Sequence, residues 1–215
     1  AGGTPVCWGY NVAGQLGDGT TDDRRRPAVV PGLERGVAAI AAGPTASFAI
    51  LDDGTVLGWG HCLLPGPVRL GLYRLRPVVI EELRGVAAIV PGLATHLALT
   101  RQGTVLAWGR ARSGAIGTDG EKERERPAPG PPLDGVVALA SGEQHCLALL
   151  ADGTIWTWGG NVFGERGDRD TAGSRGTPLR FEGLTEVSAI AVTAHLSLSL
   201  TADGRTHSWG WLTTG

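Results

Sequence analysis

Short apolar runs alternate with small or polar residues and return along this chain at a nearly constant interval. The runs SFAIL (47–51), HLALT (96–100), CLALL (146–150) and LSLSL (196–200) each lead into a turn, at Asp53-Gly54-Thr55, Gln102-Gly103-Thr104, Asp152-Gly153-Thr154 and Asp203-Gly204-Arg205. A second run follows each turn and ends in a Trp-Gly pair, at Trp59-Gly60, Trp108-Gly109, Trp158-Gly159 and Trp209-Gly210, with a further pair at Trp8-Gly9. Two alternating runs joined by such a turn predict a β-hairpin, because glycine supplies the positive φ a tight connection needs. The alternation predicts that one side of each strand faces a core.

Two further segments share the interval. GVAAIAAG (36–43), GVAAIVPG (85–92), GVVALASG (135–142) and EVSAIAVT (186–193) predict another strand. RPAVVPGL (26–33), RPVVIEEL (76–83), RPAPGPPL (126–133) and TPLRFEGL (177–184) begin with or near proline, which lacks an N–H and predicts an outer edge strand. The Trp-Gly pairs are spaced 51, 49, 50 and 51 residues apart. Four strands at a period of about 50 residues predict an all-β protein, a β-propeller whose blades bury their faces against one another. No segment sustains a 3.6-residue apolar period, which argues against a helical solenoid.

The repeats run over about 6–56, 57–105, 106–155 and 156–205, with 206–215 beginning another, in one repeat domain over 1–215. Each tryptophan is expected to wedge against the adjacent blade, and the glycine after it to let the backbone leave the strand. Trp156 and Trp211 fall outside the pattern.

Composition fits this picture. Glycine is abundant, at 35 residues with 13 prolines and no period of three, which reads as turn glycine. The formal net charge of −2 offers no general attraction to nucleic acid or to an anionic membrane. No apolar run reaches the roughly 20 residues that span a bilayer. There is no methionine, so the chain is expected to be a mature product or an excised fragment. Cys7, Cys62 and Cys146 are irregularly spaced and form neither a disulfide framework nor a metal-ligand pattern.

The stretch CWGYNVAGQLGDGTT (7–21), followed by VAAIAAG and SFAILDDGTVLGWG, resembles the repeats of the regulator of chromosome condensation family. The motif W-G-x-N-x-x-G-Q-L-G is complete at 8–17; WGGNVFGERG (158–167) lacks Gln-Leu, and WGRARSGAIG (108–117) lacks Asn and Gln. The copy after Trp59 departs furthest, with Pro65 predicting a rebuilt loop. The family's histidine before the L-A-L run is matched by His145, while the fourth copy moves it to His195. The resemblance implies a propeller, usually of seven blades. Four repeats plus one strand fit a fragment of a longer propeller, a ring completed by another chain, or four repeats closing on themselves; the first two are favoured. The family includes exchange factors for small GTPases, binders of histones or membranes, an ultraviolet sensor and a secreted inhibitor of β-lactamases. Cys7, directly before Trp8-Gly9, resembles copies in exported bacterial proteins.

Candidate chemistry is sparse. No serine elbow, phosphate loop or zinc helix motif occurs, and the histidines are dispersed by the repeat, so no catalytic residue, metal or cofactor is expected. The runs DDRRRP (22–27) and EKERERP (121–127) read as solvated loops whose charges neutralise one another. Variation in a repeat scaffold collects in loops. The expected partner contacts are Tyr10, Asn11, His61, Arg110, Arg112, Phe163, Glu165 and Trp211 after the Trp-Gly pairs, and Glu143, Gln144 and His145 before the L-A-L strand. The expected function is non-enzymatic protein–protein interaction through loops on a rigid propeller, with self-association as one way to complete the ring. Nucleotide exchange on a small GTPase and inhibition of a secreted enzyme are the alternatives.

Overall fold

A computed structural model describes residues 3–34, 36–62, 73–93, 95–110, 112–120, 123–168 and 173–211. The chain divides into two compact units, Ala1–Pro91 and Gly92–Gly215. In the first unit lie β1 (Val6–Gly9), β2 (Arg24–Val29), β3 (Val37–Ala42), β4 (Ala46–Leu51), β5 (Val56–Gly60), β6 (Arg74–Val79) and β7 (Val86–Pro91). β1 pairs with β2, and β3-β4-β5-β6 form an antiparallel four-stranded sheet in chain order. The second unit holds β8 (Thr95–Thr100), β9 (Val105–Arg110), β10 (Glu123–Pro129), β11 (Val136–Ser141), β12 (His145–Leu150), β13 (Ile155–Gly159), β14 (Arg175–Arg180), β15 (Val187–Val192), β16 (Leu196–Thr201) and β17 (Thr206–Gly210). There β8-β9-β10, β11-β12-β13-β14 and β15-β16-β17 pair as antiparallel meanders. The architecture is all-β, built of propeller-type four-stranded repeats.

The hairpin turns form as the glycines predict. Leu51 N–H donates to the Thr55 carbonyl at 2.8 Å and Gly54 N–H to Leu51 at 2.9 Å, enclosing a three-residue loop. Gly54 has φ +83° and its counterpart Gly153 +77°, the left-handed position such a loop requires. Asp53 Oδ1 accepts from Thr55 N–H at 2.8 Å, which stiffens the turn from the other side.

Two expectations about burial change. Two of the L-A-L strands are covered on both sides rather than alternating: β8 and β12 are buried at every position but the last, while β16 keeps the alternation, with Ser197 and Ser199 buried between half-buried or exposed neighbours. A strand interior to a blade is sandwiched by packing on both sheet faces, so small and apolar residues serve equally well. Leu147, Leu149, Ile155 and Val187 form one core cluster in the second unit; Val30, Leu33, Ala49 and Trp59 form another in the first. The arginine and glutamate runs are not loops. Arg24, Arg25 and Arg26 lie within β2, and Glu123–Arg126 within β10. The proline strands stand at a sheet edge, β6 beside β5 and β14 beside β13, with no further strand paired on their outer side among the described residues, so proline is tolerated. Solvent-facing charges are equally at home there.

Candidate interaction site

The Trp-Gly interval has a specific cause in hydrogen bonding. Trp59 Nε1–H donates to the Gln15 carbonyl at 2.8 Å, and Ser47 Oγ–H donates to the same oxygen at 2.8 Å. Trp158 Nε1–H reaches the Ala115 carbonyl at 2.9 Å, joined by the Cys146 thiol at 3.5 Å. Trp209 Nε1–H and Ser197 Oγ–H both donate to the Glu165 carbonyl, each at 2.8 Å. The paired donors sit directly opposite each other in the strand register: Ser47 with Trp59, Cys146 with Trp158, Ser197 with Trp209. Each of these tryptophans thus clamps the loop of the preceding repeat and uses both lone pairs of one carbonyl. Cys146 fills the serine position of this clamp. Burial pushes its thiol up to about 12, so it stays protonated and able to donate.

The glycines after the three clamping tryptophans, Gly60, Gly159 and Gly210, are required by close backbone approach, whereas a Cβ at Gly9 would meet nothing within 4 Å. Gly159 has φ +99°, and a Cβ there would lie 2.8 Å from His145 Cα and closer still to the Gln144 carbonyl oxygen. Trp8 differs from the clamping tryptophans: its side chain is 57% exposed, where Trp59 and Trp158 are buried.

The expected contact residues separate into distinct classes. Asn11 is fully buried, which corrects its reading as a partner contact. Its Oδ1 accepts from Leu16 N–H at 2.9 Å and its Nδ2 donates to the Thr20 and Asp22 carbonyls at 3.1 and 3.0 Å, so the side chain knits its own loop. His145 and Glu165 are also buried, at 1% and 3% exposure, and act within the protein. Tyr10 is exposed, at 63%. His61 packs edge-on to Tyr73, with ring centroids 5.5 Å apart. Arg110 faces Glu123 at 4.0 Å, both side chains well solvated. Gln144 Oε1 accepts from Ser113 Oγ at 2.7 Å. The side chain of Arg112 lies outside the described residues, as does the divergent loop with Pro65.

One group comes together in the second unit. Phe163 and Trp211 stack with centroids 4.9 Å apart and planes at 19°. They remain 44% and 52% exposed. His195 meets the Phe163 ring edge at 5.0 Å and lies 5.8 Å from Trp211. Its Nδ1 is 3.2 Å from Glu165 Oε1, and its Nε2 is 3.3 Å from Glu143 Oε2. Both ring nitrogens can donate only in the imidazolium. Glu165 Oε2 accepts from Phe163 N–H at 2.8 Å, which fixes the loop carrying the aromatic ring. The loop after Trp-Gly and the turn before the L-A-L strand therefore share one surface. Ser197, which sequence reasoning did not single out, links this surface to the interior: its Oγ lies 3.0 Å from His145 Nε2. The serine at the same repeat position, Ser47, was the available signal.

Burial pushes His145 down to about 4, helped by His195 and opposed by Glu165. A folded value below the unfolded one means the unfolded chain binds the extra proton between these values. The contribution is therefore present above about pH 6.5 and lost as the pH falls towards 4. The unfolding free energy from urea titrations across this range is expected to fall with acid, by up to about 3 kcal/mol from this group. His145→Gln is expected to flatten that slope; an unchanged slope would remove His145 as its source.

Among the described residues, no group of three His, Cys, Asp or Glu side chains is placed to hold a metal ion. Two family models match the chain, both for the regulator of chromosome condensation (RCC1) repeat, one over residues 7–50 and 102–149 and one over 136–165. Among solved structures, human WBSCR16 is similar over 96% of this chain and 56% of its own, at 24% identity and a TM-score of 0.84. The structure of Kap60 bound to yeast RCC1 (Prp20) is similar over 97% and 52%, at 22% identity and a TM-score of 0.82. Prp20p from Saccharomyces cerevisiae is similar over 97% and 53%, at 23% identity and a TM-score of 0.74. The chain thus spans about half the length of the solved structures it matches. With the clamp repeated at Trp59, Trp158 and Trp209 and the repeat models covering about half its residues, the chain belongs to the regulator of chromosome condensation repeat family.

Proposed function

We propose that this protein is a non-enzymatic interaction module that binds a protein partner through loops held on rigid blades. The observation that carries this reading is the exposed Phe163–Trp211 stack, braced by His195 and by the Glu165–Phe163 hydrogen bond. Large rigid aromatics fixed before binding lose little entropy on association and supply most of an interface's energy. Relatives of this fold support the reading. Yeast RCC1 (Prp20) is bound to Kap60, and Prp20p has binding properties to Gsp1p and histones.

The test is affinity purification with the chain and with Phe163→Ala and Trp211→Ala, followed by titration of each purified partner. Both substitutions remove exposed side chains, so circular dichroism and the urea midpoint are expected to stay close to those of the parent. A partner should lose at least about tenfold in affinity for one or both variants. A partner that binds all three chains alike would place the interface elsewhere.

A further inference from the structure

Comparison of equivalent repeat positions isolates what the Phe163 surface adds to the blade frame. The first repeat carries buried Ala13 where the fourth carries Phe163, Gln15 where it carries Glu165, and Thr45 where it carries His195. Gln15 already ties the loop to the turn. Its Oε1 accepts from Ala13 N–H at 2.9 Å and its Nε2 donates to the Pro44 carbonyl at 3.2 Å. The frame therefore demands none of the three replacements. Glutamate keeps the first bond but cannot make the second. It needs a donor in return, and His195 Nδ1–H supplies one.

The result is a flat aromatic face beside a carboxylate with capacity to spare. Glu143 is 36% exposed, and only its Oε2 faces His195; among the described residues Oε1 makes no hydrogen bond. Two acidic side chains, Glu143 and Glu165, face the single imidazole of His195, so acidic groups outnumber basic ones in the cluster. The neighbouring cation, Arg166, is 1% exposed and turned inward to Asp168 and to the carbonyls of Gly159 and Gly173. It does not cancel the negative charge at the surface. A planar cation can stack on the indole while one edge forks onto a carboxylate, and among side chains only the guanidinium has that shape.

We propose that the Phe163–Trp211 face and Glu143 form a receptor for an arginine side chain in a basic segment of a protein partner. This rests on the interaction reading above and names the chemistry of the segment bound. The test uses a capped pentapeptide, Gly-Gly-Arg-Gly-Gly, and the same peptide with citrulline, which keeps the shape of arginine and removes its charge. The readout is the indole N–H resonance of Trp211 in nitrogen-15 spectra, identified by its disappearance in Trp211→Phe. The arginine peptide is expected to shift this resonance and to bind at least about fivefold more tightly than the citrulline peptide. Glu143→Gln, at an exposed position, should reduce the arginine peptide to the citrulline level while the backbone spectrum stays that of the parent.

Equal binding of the two peptides, indifference to Glu143→Gln, or an unmoved Trp211 resonance would each overturn the assignment. If any of these occurs while Trp211→Ala still weakens a purified partner, the arginine assignment falls and the interaction reading stands. If Trp211→Ala and Phe163→Ala also leave every purified partner unaffected, the arginine assignment falls together with the placing of the partner interface at this face.

Discussion

Trp158→Ala is expected to destabilise the protein by about 4 kcal/mol, through a large cavity together with a stranded polar group. The side chain is fully buried, and its indole N–H holds the Ala115 carbonyl 43 residues upstream. Removal empties the volume of the largest side chain type and, among the described residues, leaves that carbonyl with the weaker Cys146 thiol. Two companions separate the causes. Trp158→Phe keeps most of the packing and deletes the donor, for an expected loss of about 1–2 kcal/mol. Trp156→Ala, at a half-buried position on the same strand, should cost clearly less than Trp158→Ala. Urea unfolding followed by circular dichroism measures all three. A Trp158→Phe chain as stable as the parent would show that the indole bond contributes nothing and that the interval reflects packing alone.

Gly159→Ala is expected to lose about 3 kcal/mol, for two reasons that can be measured apart. The backbone at Gly159 has φ +99°, and an added Cβ would press into the Gln144 carbonyl and the His145 backbone. These are main-chain atoms of a paired strand and its turn, which cannot swing aside as a flexible side chain would. Gly164 provides the comparison. It also has a positive φ, +81°, but a Cβ there would meet nothing within 4 Å. Gly164→Ala should therefore show conformational strain alone, about 1 kcal/mol. Equal losses at the two positions would mean that close approach is not why glycine follows tryptophan.

These two substitutions test the part of the protein that was most legible beforehand. The strands, their turns and the edge position of the proline segments follow from local rules. Alternation, positive φ and a missing N–H act within a few residues, so they can be read along a single stretch. Repetition then multiplies the signal, since each stretch occurs four times with the same order. The assignment of the Trp-Gly pairs to packing rests on the same ground. Its atomic reason, a shared loop carbonyl, does not, because it needs the register that sets Ser47 opposite Trp59 and Ser197 opposite Trp209.

The candidate site was legible only in pieces. Phe163, Glu165, Trp211 and Glu143 could be picked out as loop residues, yet nothing in their order shows that they meet. Nor does it show that Asn11 and His145, equally polar and equally placed in loops or at strand starts, point inward. Residue type fixes what a side chain can donate or accept; burial and neighbours decide whether solvent or a partner can reach it.

The blade is thus a property of the chain's own local order: strand, Asp-Gly turn, strand, Trp-Gly and a proline edge, repeated. The surface is a property of packing. Phe163 and Trp211 are 48 positions apart, and Glu143 and His195 are 52 apart, in different repeats. They become neighbours because the hairpin that carries Ser197 and Trp209 is bonded to the Glu165 carbonyl, which sets the 163–165 loop beside His195 and Trp211.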